Sequence, residues 1–106
     1  NVLFESGSAT LLPVSYDELD RLAELLTKVS ALRVEIAGYT DDLGDEATNL
    51  QLSESRATSV KKYLSEQGIA ENRINTSGYG ESKPVAPNDS DEGRAKNRRT
   101  TFRLID

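Results

Sequence analysis

The sequence predicts a two-layer α/β sandwich: a mixed sheet carrying helices on one face, with elements in the order β-α-β-α-β-β. Two observations carry this reading. Apolar residues recur at three- and four-residue spacing over two long segments, the mark of amphipathic helices. Short alternating or apolar segments bounded by Gly and Pro lie between and around them, the mark of strands. Helices that follow strands imply crossovers on a mixed sheet, and two helices over one face make two layers.

The first element is the short apolar run Val2-Leu3-Phe4, read as a strand and ended by Gly7-Ser8. A helix is expected over 16–28, where Leu19, Leu22, Ala23, Leu26 and Val29 mark one face. Ser15-Tyr16-Asp17-Glu18 fits a capping box, with the Ser hydroxyl on the Glu18 amide and the Glu18 side chain reaching back. Asp17, Glu18 and Asp20 near its start and Lys28 near its end suit the helix dipole. Residues 33–39 alternate as a strand, and the polar loop 40–46 follows. A second helix is expected over about 48–67, with Leu50, Ala57, Val60 and Leu64 on its apolar face and Gly68 as a left-handed cap. Residues 74–80 form a weaker strand ended by glycine. Residues 81–97, with Pro84 and Pro87, read as a polar loop, and residues 100–105 as the closing strand.

With 106 residues the chain is expected to form one domain, 1–106. Opening at Asn1 without Met, it reads as a piece of a longer or processed protein. It has no Cys and no His, which removes disulfides, thiolate metal sites, the usual zinc ligand and the usual nucleophile–base pairs. No apolar run approaches the ~18 residues of a membrane-spanning helix. Net charge is −5, unevenly spread: residues 1–50 hold ten acids and three bases, and residues 51–106 hold eight acids and ten bases. The stretch from Arg94 to Arg103 carries five cations and no acid. Such a chain suits one small anionic group better than a polyanion, and with no basic–aromatic strip, nucleic acid is not an expected partner.

Three readings compete for the loop Asp41-Asp42-Leu43-Gly44-Asp45-Glu46. Calcium fails on spacing: counted from Asp41, Leu43, Glu46 and Leu52 occupy positions where an EF-hand needs a ligand, a glycine and a glutamate. No metal is therefore expected. A carboxylate pair for glycoside hydrolysis has no feature that separates the two roles. The third reading is a solvated acidic turn ahead of a helix. Arg56, beside the apolar stripe of the second helix, needs a partner. An ion pair with Asp41 or Asp45 and a grip on a ligand carboxylate fit the pattern equally. Arg94, Arg98 and Arg99 pose the same question; Arg98 and Arg99 are expected to point to opposite faces.

The short motifs, taken together, are more specific. They run Val2-Leu3-Phe4 with Ser8-Ala9, Gly38-Tyr39-Thr40-Asp41 with Gly44, Asn49, and Leu52-Ser53 with Arg56-Ala57. Gly68-Ile69, Arg73-Ile74, Gly78-Tyr79-Gly80-Glu81, Pro84, Asn88, Gly93-Arg94 and Asn97-Arg98-Arg99 follow. In this order and over nearly the whole chain they resemble the OmpA-like peptidoglycan-binding domain, also found in Pal lipoproteins and the flagellar stator protein MotB. The resemblance implies a binding module without enzymatic activity or cofactor. Its implied ligand is the peptidoglycan stem peptide, gripped at diaminopimelate. Asp41 and Arg56 would be the principal contacts, with Asn49, Arg98 and Thr40 around them. It further implies a periplasmic domain of a membrane-associated parent that tethers an outer-membrane protein to the wall. The alternative is a protein–protein or adhesin module on the same fold. Departures from the family pattern are Tyr39 where His is common, Glu5 where Asp is common, and Thr100-Thr101 where a branched apolar residue is usual.

Overall fold

Helix α1 forms over Tyr16–Lys28, where Leu19, Leu22, Ala23 and Leu26 turn a buried face to the core. Helix α2 spans Glu46–Glu66 and buries Ala57, Val60 and Leu64. Strands β1 (Arg33–Tyr39), β2 (Ile74–Gly80) and β3 (Arg99–Ile105) form one sheet in the order β2-β1-β3. β1 pairs with β2 in parallel and with β3 antiparallel, so the sheet is mixed. This computed structural model describes residues 2–5 and 7–105. The α/β class matches the expectation, and the core is a cluster in which Leu19, Leu26, Val34, Ile36, Val60, Leu64 and Ile74 are almost wholly buried.

Three local expectations are corrected. Val2-Leu3-Phe4 is not a sheet strand: Phe4 makes one isolated antiparallel bridge with Leu11, and Val2 is buried in the core. The capping box does not form. A 3-10 turn at Pro13–Ser15 leads straight into α1, so Ser15 already has helical backbone angles and caps nothing with its side chain. Its buried hydroxyl turns inward, accepting the Leu3 N–H at 2.6 Å and donating to the Leu3 carbonyl at 3.3 Å. The 81–97 segment is not all loop, because it ends in helix α3, Asp91–Asn97. Ser90 caps that helix by accepting from the Gly93 amide, with acids in the first turn and bases in the last. Buried Asn97 holds the preceding loop. Its Oδ1 accepts from Val85 and Ala86 amides at 2.7 and 3.0 Å, and its Nδ2 donates to the Ala86 carbonyl and Asn88 Oδ1 at 2.8 Å each.

Both helix ends are closed by identifiable devices. Gly68 (φ +96°) takes the left-handed position after α2, with the Ile69 amide reaching back to the Leu64 carbonyl. At the end of α1, Arg73 donates to the carbonyls of Leu26, Val29 and Leu32, supplying a cation where the dipole is negative. Tyr16 and Tyr63 stack with centroids 5.1 Å apart, joining α1 to α2.

The sheet and α2 meet where side chains are missing. A Cβ on Gly38 would run into the Ser53 carbonyl, and one on Gly78 into Glu54. Gly38 and Gly78 are register partners, so the two gaps lie side by side under the helix. Ser53 completes the join: its hydroxyl accepts the Gly80 amide at 2.9 Å and donates to the Leu50 carbonyl at 2.7 Å. On the opposite face the end of the sheet carries an aromatic–cation ladder. Arg99 lies 3.7 Å over Tyr39, Tyr39 stacks on Tyr79 at 5.3 Å, and Lys83 lies 4.1 Å over Tyr79.

Two predictions follow from these contacts. Gly38→Ala should lower stability by about 1–3 kcal/mol, because backbone atoms must move to admit the methyl; urea unfolding would show a lower midpoint at unchanged slope. Tyr63 donates to Asp20 Oδ1 at 2.6 Å, a bond that holds the phenol protonated and pushes its pKa up to about 12. With a raised folded-state pKa, this contribution to stability is whole below about pH 10, the ordinary tyrosine value. It is lost as pH rises through the raised pKa. A tyrosinate absorbance titration should show a late ionisation step that is absent in Tyr63→Phe and returns toward the ordinary range in Asp20→Ala.

Candidate functional site

The loop after β1 is set by its own polar side chains. The Thr40 amide donates to the Gly80 carbonyl at 2.8 Å, which ties the loop to the end of β2. The Thr40 hydroxyl donates to the Asp41 carbonyl at 2.8 Å. Asp41 Oδ1 accepts the Leu43 amide at 3.0 Å, a turn closed by an aspartate on the backbone two residues on. Asn49, from the first turns of α2, reaches back under the loop: its Nδ2 donates to the Leu43 carbonyl at 2.9 Å and the Asp41 carbonyl at 3.4 Å. Asp45 caps α2, accepting from the Thr48 amide and hydroxyl at 3.0 and 3.1 Å. Of the loop acids, Asp45 is therefore structural, and Asp41 is held rigid with one oxygen left over.

That oxygen meets a cation from far along the chain. Arg98 Nη1 lies 2.7 Å from Asp41 Oδ2; the Asp41 side chain is 10% exposed and that of Arg98 48%. Arg98 sits at the C-terminal end of α3, so the short helix is what delivers it. Arg99, next in sequence, points instead to the ladder on Tyr39, so the two neighbours part as the pattern implied.

Arg56 projects from α2 toward the N-terminal segment. Its Nε donates to the Ser8 carbonyl at 2.9 Å, its Nη2 to the Glu5 carbonyl at 3.4 Å, and its guanidinium lies 5.0 Å over the Phe4 ring. Among the described residues it has no carboxylate within 4 Å, so the ion pair with Asp41 or Asp45 does not form. Burial, and then the neighbouring Arg98 cation, lower its pKa from the ordinary arginine value; Asp41 pulls the other way. Asp41, Arg98 and Arg56 thus form one electrostatic group with a net positive charge.

Arg56 and Arg98 line a common cleft of about 410 Å³, together with Phe4, Gly7, Ala95 and Thr100. Asp41, Thr40 and Asn49 do not line it; Thr40 and Asn49 shape the Asp41 loop, which meets the cleft through the Asp41–Arg98 pair. A larger cleft of about 830 Å³ lies near the start of α2, but its lining includes Asp45, Glu46 and Glu81 and no cation. Chemistry therefore favours the smaller cleft as an anion site. Sequence reasoning did not place Phe4 or the Glu5 and Ser8 carbonyls in the site. The spacing of an aromatic from an arginine 52 positions away carries no local signal.

The OmpA family model matches residues 3–98. This chain belongs to the OmpA family. The OmpA-family chain is 43% identical over 99 residues to outer membrane porin F of Pseudomonas fluorescens, covering 93% of this chain and 30% of that protein. It is 44% identical over 98 residues to the peptidoglycan-binding protein ArfA of Mycobacterium tuberculosis, covering 92% of this chain and 30% of that protein. It thus spans about a third of the length of these curated relatives. Its fold is similar to the crystal structure of the peptidoglycan-associated lipoprotein from Burkholderia pseudomallei. The TM-score is 0.87 at 28% identity, over 97% of this chain and 86% of that one.

Asn49→Ala should leave the Leu43 and Asp41 carbonyls without their buried donor, at a cost of about 1–3 kcal/mol. Hydrogen exchange should accelerate at the Leu43 amide, while the amides of β1 stay protected.

Proposed function

We propose that this domain binds peptidoglycan non-covalently, through the diaminopimelate of the stem peptide, and that its parent protein thereby tethers an outer-membrane component to the wall from the periplasm. The observation that carries this reading is the state of Arg56. It is half-buried and aligned by neutral carbonyls, and no carboxylate stands within 4 Å among the described residues. Its full positive charge therefore stays available to an anion in the cleft. The free end of diaminopimelate offers one ammonium and one carboxylate on a single carbon. Arg56 receives the carboxylate in its planar fork. The ammonium goes to Asp41, whose Oδ2 is bonded to Arg98 in the free domain. Binding then shares or exchanges that ion pair, and the half-exposed Arg98 turns toward the ligand carboxylate. Thr40 and Asn49 hold the Asp41 loop in place. ArfA, named for peptidoglycan binding, and the peptidoglycan-associated lipoprotein support peptidoglycan as the ligand, and the porin relative supports the outer-membrane setting.

Competition calorimetry with three synthetic stem peptides tests the reading. The diaminopimelate peptide should bind best. The amidated peptide should bind less well, and the Lys peptide, which lacks the second carboxylate, worst, because Arg56 is then desolvated without an anionic partner. Asp41→Ala and Arg56→Ala should each weaken the diaminopimelate peptide by about 2–5 kcal/mol with circular dichroism unchanged. Equal affinity for diaminopimelate and Lys peptides would remove Arg56 as the reader of a carboxylate.

A further inference from the structure

We infer that Phe4 is a positioning residue of this site. Its ring, with the chain reversal that follows it, aims the Arg56 guanidinium and so sets the preference for a carboxylate-bearing side chain. This rests on the ligand reading above and extends it to a residue that touches no ligand in that reading.

The geometry has three parts. The guanidinium carbon lies 5.0 Å over the Phe4 ring, within the range of a cation–π contact. The ring face thus attracts the guanidinium cation from one side. The Ser8 carbonyl holds Nε and the Glu5 carbonyl holds Nη2, which fixes rotation of the fork in its own plane. A flexible arginine is thereby restrained in two independent ways before any ligand arrives, and pre-organisation of this kind reduces the entropy lost on binding.

The cradle is itself anchored. The Glu5 amide donates to the Thr10 carbonyl at 2.9 Å, and the Ser8 amide to the Glu5 carbonyl at 3.1 Å. Gly7, at φ +66°, supplies a left-handed position within the reversal. Phe4 bridges Leu11 and packs against the core, while Leu3 is locked to Ser15 by reciprocal hydrogen bonds. The acceptors are neutral, so the cradle restrains the guanidinium without cancelling its charge. A carboxylate in the same place would restrain it equally well and compete with the ligand.

The test compares Phe4→Leu, which keeps apolar bulk and removes the ring face, with Phe4→Tyr, which keeps the face. The readout is the ratio of affinities for a diaminopimelate stem peptide and the matching Lys peptide. Phe4→Leu should reduce that ratio by about three- to tenfold, mainly through the diaminopimelate peptide, and Phe4→Tyr should preserve it. An unchanged ratio in Phe4→Leu, or an equal loss for both peptides, would overturn the proposal by making Phe4 a core residue only. Arg56→Lys serves as the separate control: if it leaves the ratio unchanged, the ligand reading itself fails. Should Phe4→Leu not fold, the wild-type domain decides by NMR. The Arg56 Nε–H should be shifted by the ring current and exchange more slowly than that of the exposed Arg33 and Arg103. Exchange as fast as theirs would overturn the proposal.

Discussion

The absence of side chains at Gly38 and Gly78 sets how closely α2 lies on the sheet, and most of the structure depends on that distance. With the Ser53 backbone against Gly38, the Ser53 hydroxyl can bond the Gly80 amide at the end of β2. The Gly80 carbonyl in turn receives the Thr40 amide, so the end of β2 supports the start of the Asp41 loop. Asn49 and Arg56 each sit about one turn from Ser53, on either side of it along the same helix. A helix lifted by one methyl group would carry both away from the loop and the N-terminal segment they touch. Core packing and site geometry are thus one constraint here.

Charge is handled differently at the two half-buried arginines and at the exposed ion pairs. Arg73 and Arg56 both donate to backbone carbonyls, yet the outcomes differ. Arg73 is consumed by the carbonyls at the end of α1, where a cation is wanted. Arg56 meets two carbonyls of an irregular segment and keeps an open side on a cleft. Arg94, by contrast, bonds Asp91 and the Asn88 carbonyl and serves to close α3. The Arg103–Glu35 and Lys28–Glu24 pairs are solvated contacts, of a kind that contributes little. Within an acidic chain, the cleft between α2 and α3 is a place where positive charge is left uncompensated.

Elements governed by local pattern were legible in the sequence, and those governed by distant contacts were not. Helix α1 falls on 16–28 because its apolar spacing is regular; α2 begins at Glu46, two residues early, because Asp45 caps it. Helix α3 escaped because seven residues give too short a period, although Ser90, Asp91 and Glu92 spell a helix start. The Ser15 hydroxyl matched a cap by spacing but was claimed by Leu3, a contact twelve residues back. In the site, Asp41 and Arg56 were singled out by residue type and motif. The pairing of Asp41 with Arg98, 57 positions on, and of Arg56 with Ser8, 48 positions back, depends on how the sheet and α3 bring the ends together.

All four tyrosines occur as stacked pairs, and the chain has no tryptophan. Its near-ultraviolet optical activity therefore arises chiefly from two coupled phenol dimers in distinct places. Tyr16–Tyr63 reports whether the helices are docked. Tyr39–Tyr79 sits at the strand ends, with Tyr39 one residue from Thr40 and two from Asp41. The domain carries a built-in pair of chromophores, one beside the cleft loop and one serving as an internal reference. A rearrangement of the loop is visible in the first while the second stays still, with no label attached.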